Sequence, residues 1–557
     1  RTARRIGTRG RTGAALPGLL GSNDFRNGVV TTVTDVVDAL FTDTGVIDAL
    51  GDALFGVVTG LAGAEAVRER VGAEVSAEVA AALAGNPAAA GIADAVGATV
   101  AGLLANQSFI VPLAAALGAV LPDFFGQPGM AGALAGAAGL LTADALDGAE
   151  LFSALEAVGQ YLLGDSAFTG GVGGVVTEVL GGLLSNGGFT WSLGTTVTGL
   201  VSALSAVPQV PGVAGQVVAA FVETALAGNA AAPSVAALLG SAVTELLANQ
   251  AFSGGVAAVS GWAVNNLLSA PGMWEALSGL AGQLAVAVLG GGDVAALLPG
   301  ALQGLLGQAA VLNALDGTVA GVVSLLLSDA GLVGAVGTTL AGLLSSALTD
   351  PALEDLIGQQ VVALVSGVLG DTPAATDIGV AVAGALIELL AAPAFSDGLA
   401  DVVGTVLTTF LDQPGIAGAL GDTAGSLVLA VLTGADLSIA LQSALAALEA
   451  DPNVIAAVGV TITAALDVLN VELLSNPAVA AVLADTITTL ITTLAGDEPV
   501  RALIGDQLAQ AVASALGGGA AAVEIGAALA GAVQSLLASA ALTDGLAAVL
   551  GTAIDTF

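Results

Sequence analysis

The phrase LLANQSF at Leu103–Phe109 returns as LLANQAF at Leu246–Phe252 and as LLAAPAF at Leu389–Phe395, each copy beginning 143 residues after the last. A repeat of that length constrains the fold more than any other feature. A chain with the same pattern at fixed intervals builds the same supersecondary unit each time and stacks it on its neighbour. The same shift aligns QPGM at Gln127, APGM at Ala270 and QPGI at Gln413, and it carries SNDF at Ser22 onto DSAF at Asp165.

Three full units follow from this register: 106–248, 249–391 and 392–538, the last four residues longer because of DVLNVELLS near Asp467. A partial unit with a basic N-terminal segment occupies 1–105, and 539–557 opens a further unit. No polar capping repeat is visible, so the chain is read as a stretch of a longer array.

Within a unit a shorter beat runs between turn signals such as DP, QPG, NP and NGG. In the middle unit segments begin at Asn249, Ala270, Gly292, Gln308, Asp329, Asp350 and Thr372, seven in all, one of them only 16 residues long. The segment from Asp329 places Leu332, Val333, Val336, Leu340, Leu343, Leu344 and Leu348 at steps of three and four, which is a helical stripe. Asp or Asn at a segment start supplies an N-cap, and Pro after it suits the first turn, as in Asp350-Pro351 and Asn476-Pro477. A β-solenoid is the rival, encouraged by VGVTIT at Val458, but Ala and Leu dominate and alternation is poor. The expectation is an all-α fold, an α-solenoid or superhelical array of short helices. The short segment is expected to continue its neighbour as a bent helix, leaving six elements per unit. Gly inside helices costs up to about 1 kcal/mol against Ala. Thin Ala/Gly ridges meeting Leu/Val stripes on neighbouring helices are expected to offset that cost.

Charge narrows the function classes. All nine basic residues are Arg, and from residue 27 onward three Arg face 45 acids, a net of −42. Phosphate binding requires clustered cations, so nucleic acid is excluded as a partner. With no Cys and no His, the usual zinc, haem and thiol chemistry has no ligands or nucleophile. No Ser sits in G-x-S-x-G, and without Lys a Walker loop cannot form. The sequence is therefore read as non-enzymatic, with no catalytic residue, cofactor or metal.

The remaining polar and aromatic features each have a structural reading. Asp144, Asp147 and Glu150, or Glu354 with Asp355, lack EF-hand spacing and read as solvated helix ends. Trp191, Trp262 and Trp274 lie on ordinary helical stripes and read as packing residues rather than a ligand cage. The start RTARRIGTRGR carries a twin Arg at Arg4 and Arg5, but the apolar run after it is short and broken by Pro17, so it reads as a repeat segment with a basic surface. Tyr161 with Asp165 fits Y-x-x-x-D, the short element of mycobacterial type VII secretion substrates. The composition resembles Ala/Gly-rich, Lys-poor envelope proteins of high-GC actinobacteria, including distal regions of the PE and PPE families. That resemblance covers composition only, implies a secreted or envelope setting, and transfers no residue role.

Mean hydropathy is +0.94. Helices about 25 Å long, loops without Lys or Arg and segments without Trp/Tyr belts weigh against membrane insertion. The functional expectation is an extracellular or surface-associated filament or scaffold that self-associates through its repeat surfaces. Contacts are expected at the repeat junctions, around Asn106, Asn249 and Ala392 and at Pro128, Pro271 and Pro414. The alternatives are a carrier holding lipid in an apolar groove and an integral membrane protein. The partners implied are further copies of the chain, with lipid or an envelope surface second.

Overall fold

The computed structural model describes residues 22–370, 372–515, 519–542, 545, 546 and 549, and no strand occurs among them. The partial unit contributes α1 (Asn23–Thr42), α2 (Thr44–Gly63), α3 (Glu65–Ala82) and α4 (Ala89–Ala105). Unit 106–248 forms α5 (Gln107–Gly126), α6 (Met130–Leu146), α7 (Leu151–Gly164), α8 (Ser166–Leu184), α9 (Gly187–Ser205), α10 (Gln209–Ala225) and α11 (Ala232–Ala248). Unit 249–391 forms α12 (Gln250–Ser269), α13 (Met273–Leu289), α14 (Val294–Leu306), α15 (Ala309–Ser328), α16 (Ala330–Leu348), α17 (Pro351–Leu369) and α18 (Pro373–Ala391). Unit 392–538 forms α19 (Pro393–Leu411), α20 (Ile416–Leu432), α21 (Leu437–Ala450), α22 (Pro452–Val468), α23 (Pro477–Gly496), α24 (Glu498–Ala515) and α25 (Ala520–Leu537). The fold is all-α, an array of short helices. The basic segment with Arg4, Arg5 and Pro17 lies outside the described residues.

Helices begin where the sequence supplies a cap. The Asp165 carboxylate accepts from the amides of Ala167 and Phe168 at 2.8 and 3.0 Å, and Asp350 and Asp451 cap α17 and α22 in the same way. Each such bond satisfies an amide the first turn leaves unpaired. The four extra residues of the last unit fall at the end of α22, where Leu469–Leu474 winds as a π-helix. There the Ser475 amide donates to Asn470 O at 2.7 Å. A π segment takes up extra residues without unmaking the helix on either side.

The expectation that each unit's short segment extends its predecessor as a bent helix is corrected. At the end of α6, Gly148 adopts φ +80° and the Ala149 amide donates to Asp144 O at 2.9 Å. Gly291 and Gly434 repeat the turn at φ +83° and +79°. A left-handed residue with that bonding pattern closes a helix instead of bending it. Each full unit therefore has seven separate helices.

The first and second helices of a unit join through a tight turn. In Gln127-Pro128-Gly129-Met130 the Pro precedes a Gly at φ +84°, and the Met130 amide donates to Gln127 O at 3.1 Å. This is the residue order a type II turn requires. The residue after the turn is the anchor: Met130, Met273 and Ile416 are 0%, 3% and 0% exposed. Met273 packs with Ala276, Val311 and Ala314, so the second helix is pinned to the fourth helix of its own unit.

Successive units are joined by glycines. Those at 51, 194 and 337 and those at 118, 261 and 404 recur at the 143-residue step. They pair as Gly51 with Gly118, Gly194 with Gly261 and Gly337 with Gly404. A methyl group on Gly51 would sit 2.5 Å from Gly118 O, so the two backbones are in direct contact. The sixth and seventh helices cross in the same way at Gly72/Gly97 and Gly215/Gly240. Beside these glycine-to-glycine contacts the expected meeting of small ridges with large apolar side chains also occurs, as where Gly255 faces Leu332 and Gly358 faces Ile387.

The chain divides into two compact units. One comprises residues 1–203, 257–322 and 421–445 and holds the α2/α5, α9/α12 and α8/α13 contacts. The other comprises 204–256, 323–420 and 446–557 and holds the α10/α11, α17/α18, α16/α19 and α24/α25 contacts. None of their boundaries coincides with a repeat boundary at 106, 249 or 392, because the first two helices of a unit pack on the preceding one.

Candidate interaction surfaces

The junction residues named from the sequence act locally. Asn106 and Asn249 are N-caps, accepting from the amides of Ser108 and Ala251 at 2.9 Å each. Ala392 holds the cap position of α19 without a side-chain bond, ahead of Pro393. Pro128, Pro271 and Pro414 each stand one residue before a left-handed glycine in the turn between first and second helices. A methyl on Gly272 would meet Ala310 Cβ at 2.7 Å, and one on Gly129 would meet Ala167 Cβ at 2.9 Å. The prolines thus position the turn against the start of the fourth helix within a unit. The joints between units lie at the paired glycines, whose 143-residue spacing the sequence also carries.

The candidate chemical groups are dispersed. Among the described residues no three His, Cys, Asp or Glu side chains gather as a metal site. Asp147 pairs with Arg26 of α1. Asp165 is consumed as a cap, and the Tyr161 ring lies against Gly136. Trp262 rests over Gly321 and Trp274 over Gly181, while Trp191 is exposed. Each large ring fills the gap left by a glycine.

The arginines of the described residues are structural. Arg68 Nη1 donates to Ala62 O and Gly63 O at 2.7 and 2.8 Å, closing the C-terminus of α2. Arg501 does the same for α23, donating to Ala495 O at 2.7 Å. A cation at that end also meets the negative pole of the helix dipole. Arg70 pairs with Glu74 along α3. Asp436 at the start of α21 accepts from the Ser438 hydroxyl and amide at 2.6 and 2.8 Å, which hold its carboxyl below the ordinary range.

The surface itself is the exceptional feature. Glycine, alanine and small hydroxyls share the helix contacts with buried Val, Ile, Leu and Met, and many other large apolar side chains are left exposed. Phe152 and Val368 are each 82% exposed, and Phe221, Leu364, Ile439 and Leu466 are also well exposed. Between α17 and α18 runs an open groove of about 550 Å³ lined by Asp355, Gly358, Val362, Ala383 and Ile387. A groove of about 570 Å³ lies at the same repeat position between α3 and α4, lined by Glu69, Gly72, Ser76, Gly97 and Ala101. Residues 69 and 355 are two repeats apart, so the groove belongs to the unit design.

Comparison with protein-family models, curated proteins and solved structures finds no match to this chain.

Proposed function

We propose that the chain is a non-enzymatic structural repeat protein of a secreted or envelope setting, which builds an assembly by covering the outer faces of its helices with further copies. The observation that carries this reading is the extent of exposed apolar surface: although the core holds Leu, Val, Ile and Met beside its Ala and Gly, many further Leu, Val, Ile and Phe side chains lie outside it. Contiguous apolar surface of that kind marks an interaction face, because leaving it in water forfeits about 25 cal/mol for each Å². The acidic excess limits how closely copies gather, since like charges repel within a Debye length.

A second reading, insertion into a bilayer, has its own support. Among the described residues ten helices of 19–22 residues, longer than the roughly 25 Å expected from the sequence, are long and apolar enough to cross a membrane, and small residues at helix contacts are the membrane pattern. Three acids weigh against it. Asp52 of α2, Asp401 of α19 and Asp485 of α23 each stand near mid-helix and are exposed. A carboxylate facing lipid at that depth costs about 2.5–3.5 kcal/mol, whereas the rim of an aqueous assembly leaves it hydrated. The self-assembling scaffold is therefore preferred.

Negative-stain imaging and sedimentation of protein purified without detergent test the choice. Regular filaments or sheets are expected. Detergent-dependent solubility would overturn the scaffold in favour of the bilayer. Lipid in stoichiometric amount by mass spectrometry would make the chain a carrier.

A further inference from the structure

The second and third helices of a unit form a hairpin whose turn repeats and whose filling does not. Between α6 and α7 the chain turns through Gly148 at φ +80°, with the Ala149 amide on Asp144 O at 2.9 Å. Between α13 and α14 it turns through Gly291 at φ +83°, with the Gly292 amide on Ala287 O at 2.9 Å. These residues are equivalent at the 143-residue step, so the two hairpins are closed in the same way. In the first of them Tyr161 of α7 lays its ring over Gly136 of α6. A methyl on Gly136 would fall 3.1 Å from Tyr161 Cζ, and the phenol oxygen is nearer still. One repeat on, the equivalents are Gly304 and Gly279, and nothing lies within 4 Å of the methyl position at either. In the last full unit the pair is Ala447 and Asp422, so of the three only the middle unit has glycine on both helices.

Where the sister hairpin holds its ring, α13 and α14 enclose a cleft of about 410 Å³ lined by Glu275, Gly279, Leu280, Gln283, Gly304 and Gln308. A volume in that range is ordinary for a small-molecule site. The polar groups have changed together with the ring. Glu275 and Gln283 stand one helical turn before and after Gly279 on the same face of α13, and their equivalents in the first unit are Gly132 and Leu140. A carboxylate and an amide thus flank the point that a phenol oxygen reaches in the sister hairpin. The carboxylate accepts a hydrogen bond, and the amides of Gln283 and Gln308 both accept and donate. A phenol matches this arrangement, since its flat ring suits the glycine backbones and its hydroxyl both donates and accepts.

We propose that the α13/α14 cleft binds a small phenolic compound, its ring on Gly279 and Gly304 and its hydroxyl between Glu275 and Gln283. The repeat identifies the occupant, because the equivalent hairpin already holds a phenol that its own side chain supplies. All the lining residues fall between 275 and 308, so the site does not rest on the assembly reading.

The test titrates 4-fluorophenol into the full chain without detergent and follows the fluorine resonance by NMR. Saturable binding is expected with a dissociation constant on the order of 1 mM, the range open to so small a ligand. Gly304→Tyr restores the ring as a side chain of the protein and should weaken binding about tenfold or more. Gly254→Tyr places the same ring on an open face of α12, where nothing lies within 4 Å, and should leave binding unchanged. Both substitutions replace an exposed helical glycine by a better helix former, and circular dichroism confirms that each variant is folded. 4-Fluorotoluene, which has the ring without the hydroxyl, should bind about fivefold more weakly than 4-fluorophenol, and Glu275→Leu combined with Gln283→Leu should remove that preference. Equal binding by the wild type and Gly304→Tyr overturns the site, as does the lack of saturable binding up to about 10 mM. Equal binding of the two probes by the wild type overturns the phenolic assignment.

Discussion

The paired glycines make opposite predictions for one substitution at two positions of one helix. Gly97 and Gly102 both lie in α4. A methyl on Gly97 would sit 2.5 Å from Gly72 O and 2.9 Å from Ser76 Cβ, whereas nothing lies within 4 Å at Gly102. At Gly102, Ala brings only its higher helix propensity, a gain of about 0.5–1 kcal/mol. At Gly97 the same gain is opposed by the collision. Real Cβ atoms essentially never come closer than 3.0 Å, so α3 and α4 must separate by about half an ångström along the whole crossing. The obstructing atom is a backbone oxygen and cannot rotate away. Overpacking of that kind costs about 1–3 kcal/mol, leaving a net loss on the order of 1 kcal/mol, or about fivefold in the local opening constant. Arrays open locally, so the proper assay is hydrogen exchange of the α3/α4 amides rather than a global melt. Gly97→Ala should exchange faster than the wild type and Gly102→Ala more slowly. If both variants gain protection, the glycines are not packed backbone to backbone and the account of the joints fails.

Three further outcomes follow. Gly148→Ala places a side chain at φ +80° and should cost about 1 kcal/mol, read as faster exchange at the end of α6, with Gly291→Ala and Gly434→Ala alike. The buried Thr461 hydroxyl has no hydrogen-bond partner among the described residues, so Thr461→Val should be neutral or stabilising by about 1 kcal/mol in exchange of the α19/α22 amides; a clear loss would show the hydroxyl to be bonded. The Asp436 cap has its carboxyl pKa lowered from 3.8, so its contribution is full above that value and disappears only as pH falls through the lower folded value. The α21 amides should therefore be fully protected well above the ordinary carboxylate value and lose that contribution as pH falls from there through the folded value, and Asp436→Asn should abolish the dependence; protection that does not change with acid contradicts the assignment.

The starts of the helices and their repetition were determined by the sequence alone. A cap, a proline in the first turn or a left-handed glycine acts on amides within a few residues, so Asp329, Asp350 and Thr372 marked α16, α17 and α18 to within a residue. The QPGM, APGM and QPGI motifs mark the turn by their Pro and Gly, while the burial of Met130, Met273 and Ile416 is visible only in the packed structure. The third helix of each unit stands apart, where the sequence suggests a bent continuation, because Gly148, Gly291 and Gly434 take a left-handed turn that segment length alone does not mark.

What the tertiary structure decided was which faces meet. Hydrophobic periodicity marks a stripe of large residues, and the natural inference is that the stripe turns inward. Here Gly51 with Gly118 and Gly194 with Gly261 turn inward, and Phe221, Leu364 and Leu466 remain outside. Both arrangements satisfy the same helical period. The choice depends on how closely two backbones approach, a distance set between residues some 67 positions apart for both pairs and absent from any local pattern. For the same reason the compact units cut across the repeats: the sequence counts along the chain, and packing joins the first helices of one unit to the later helices of the unit before it.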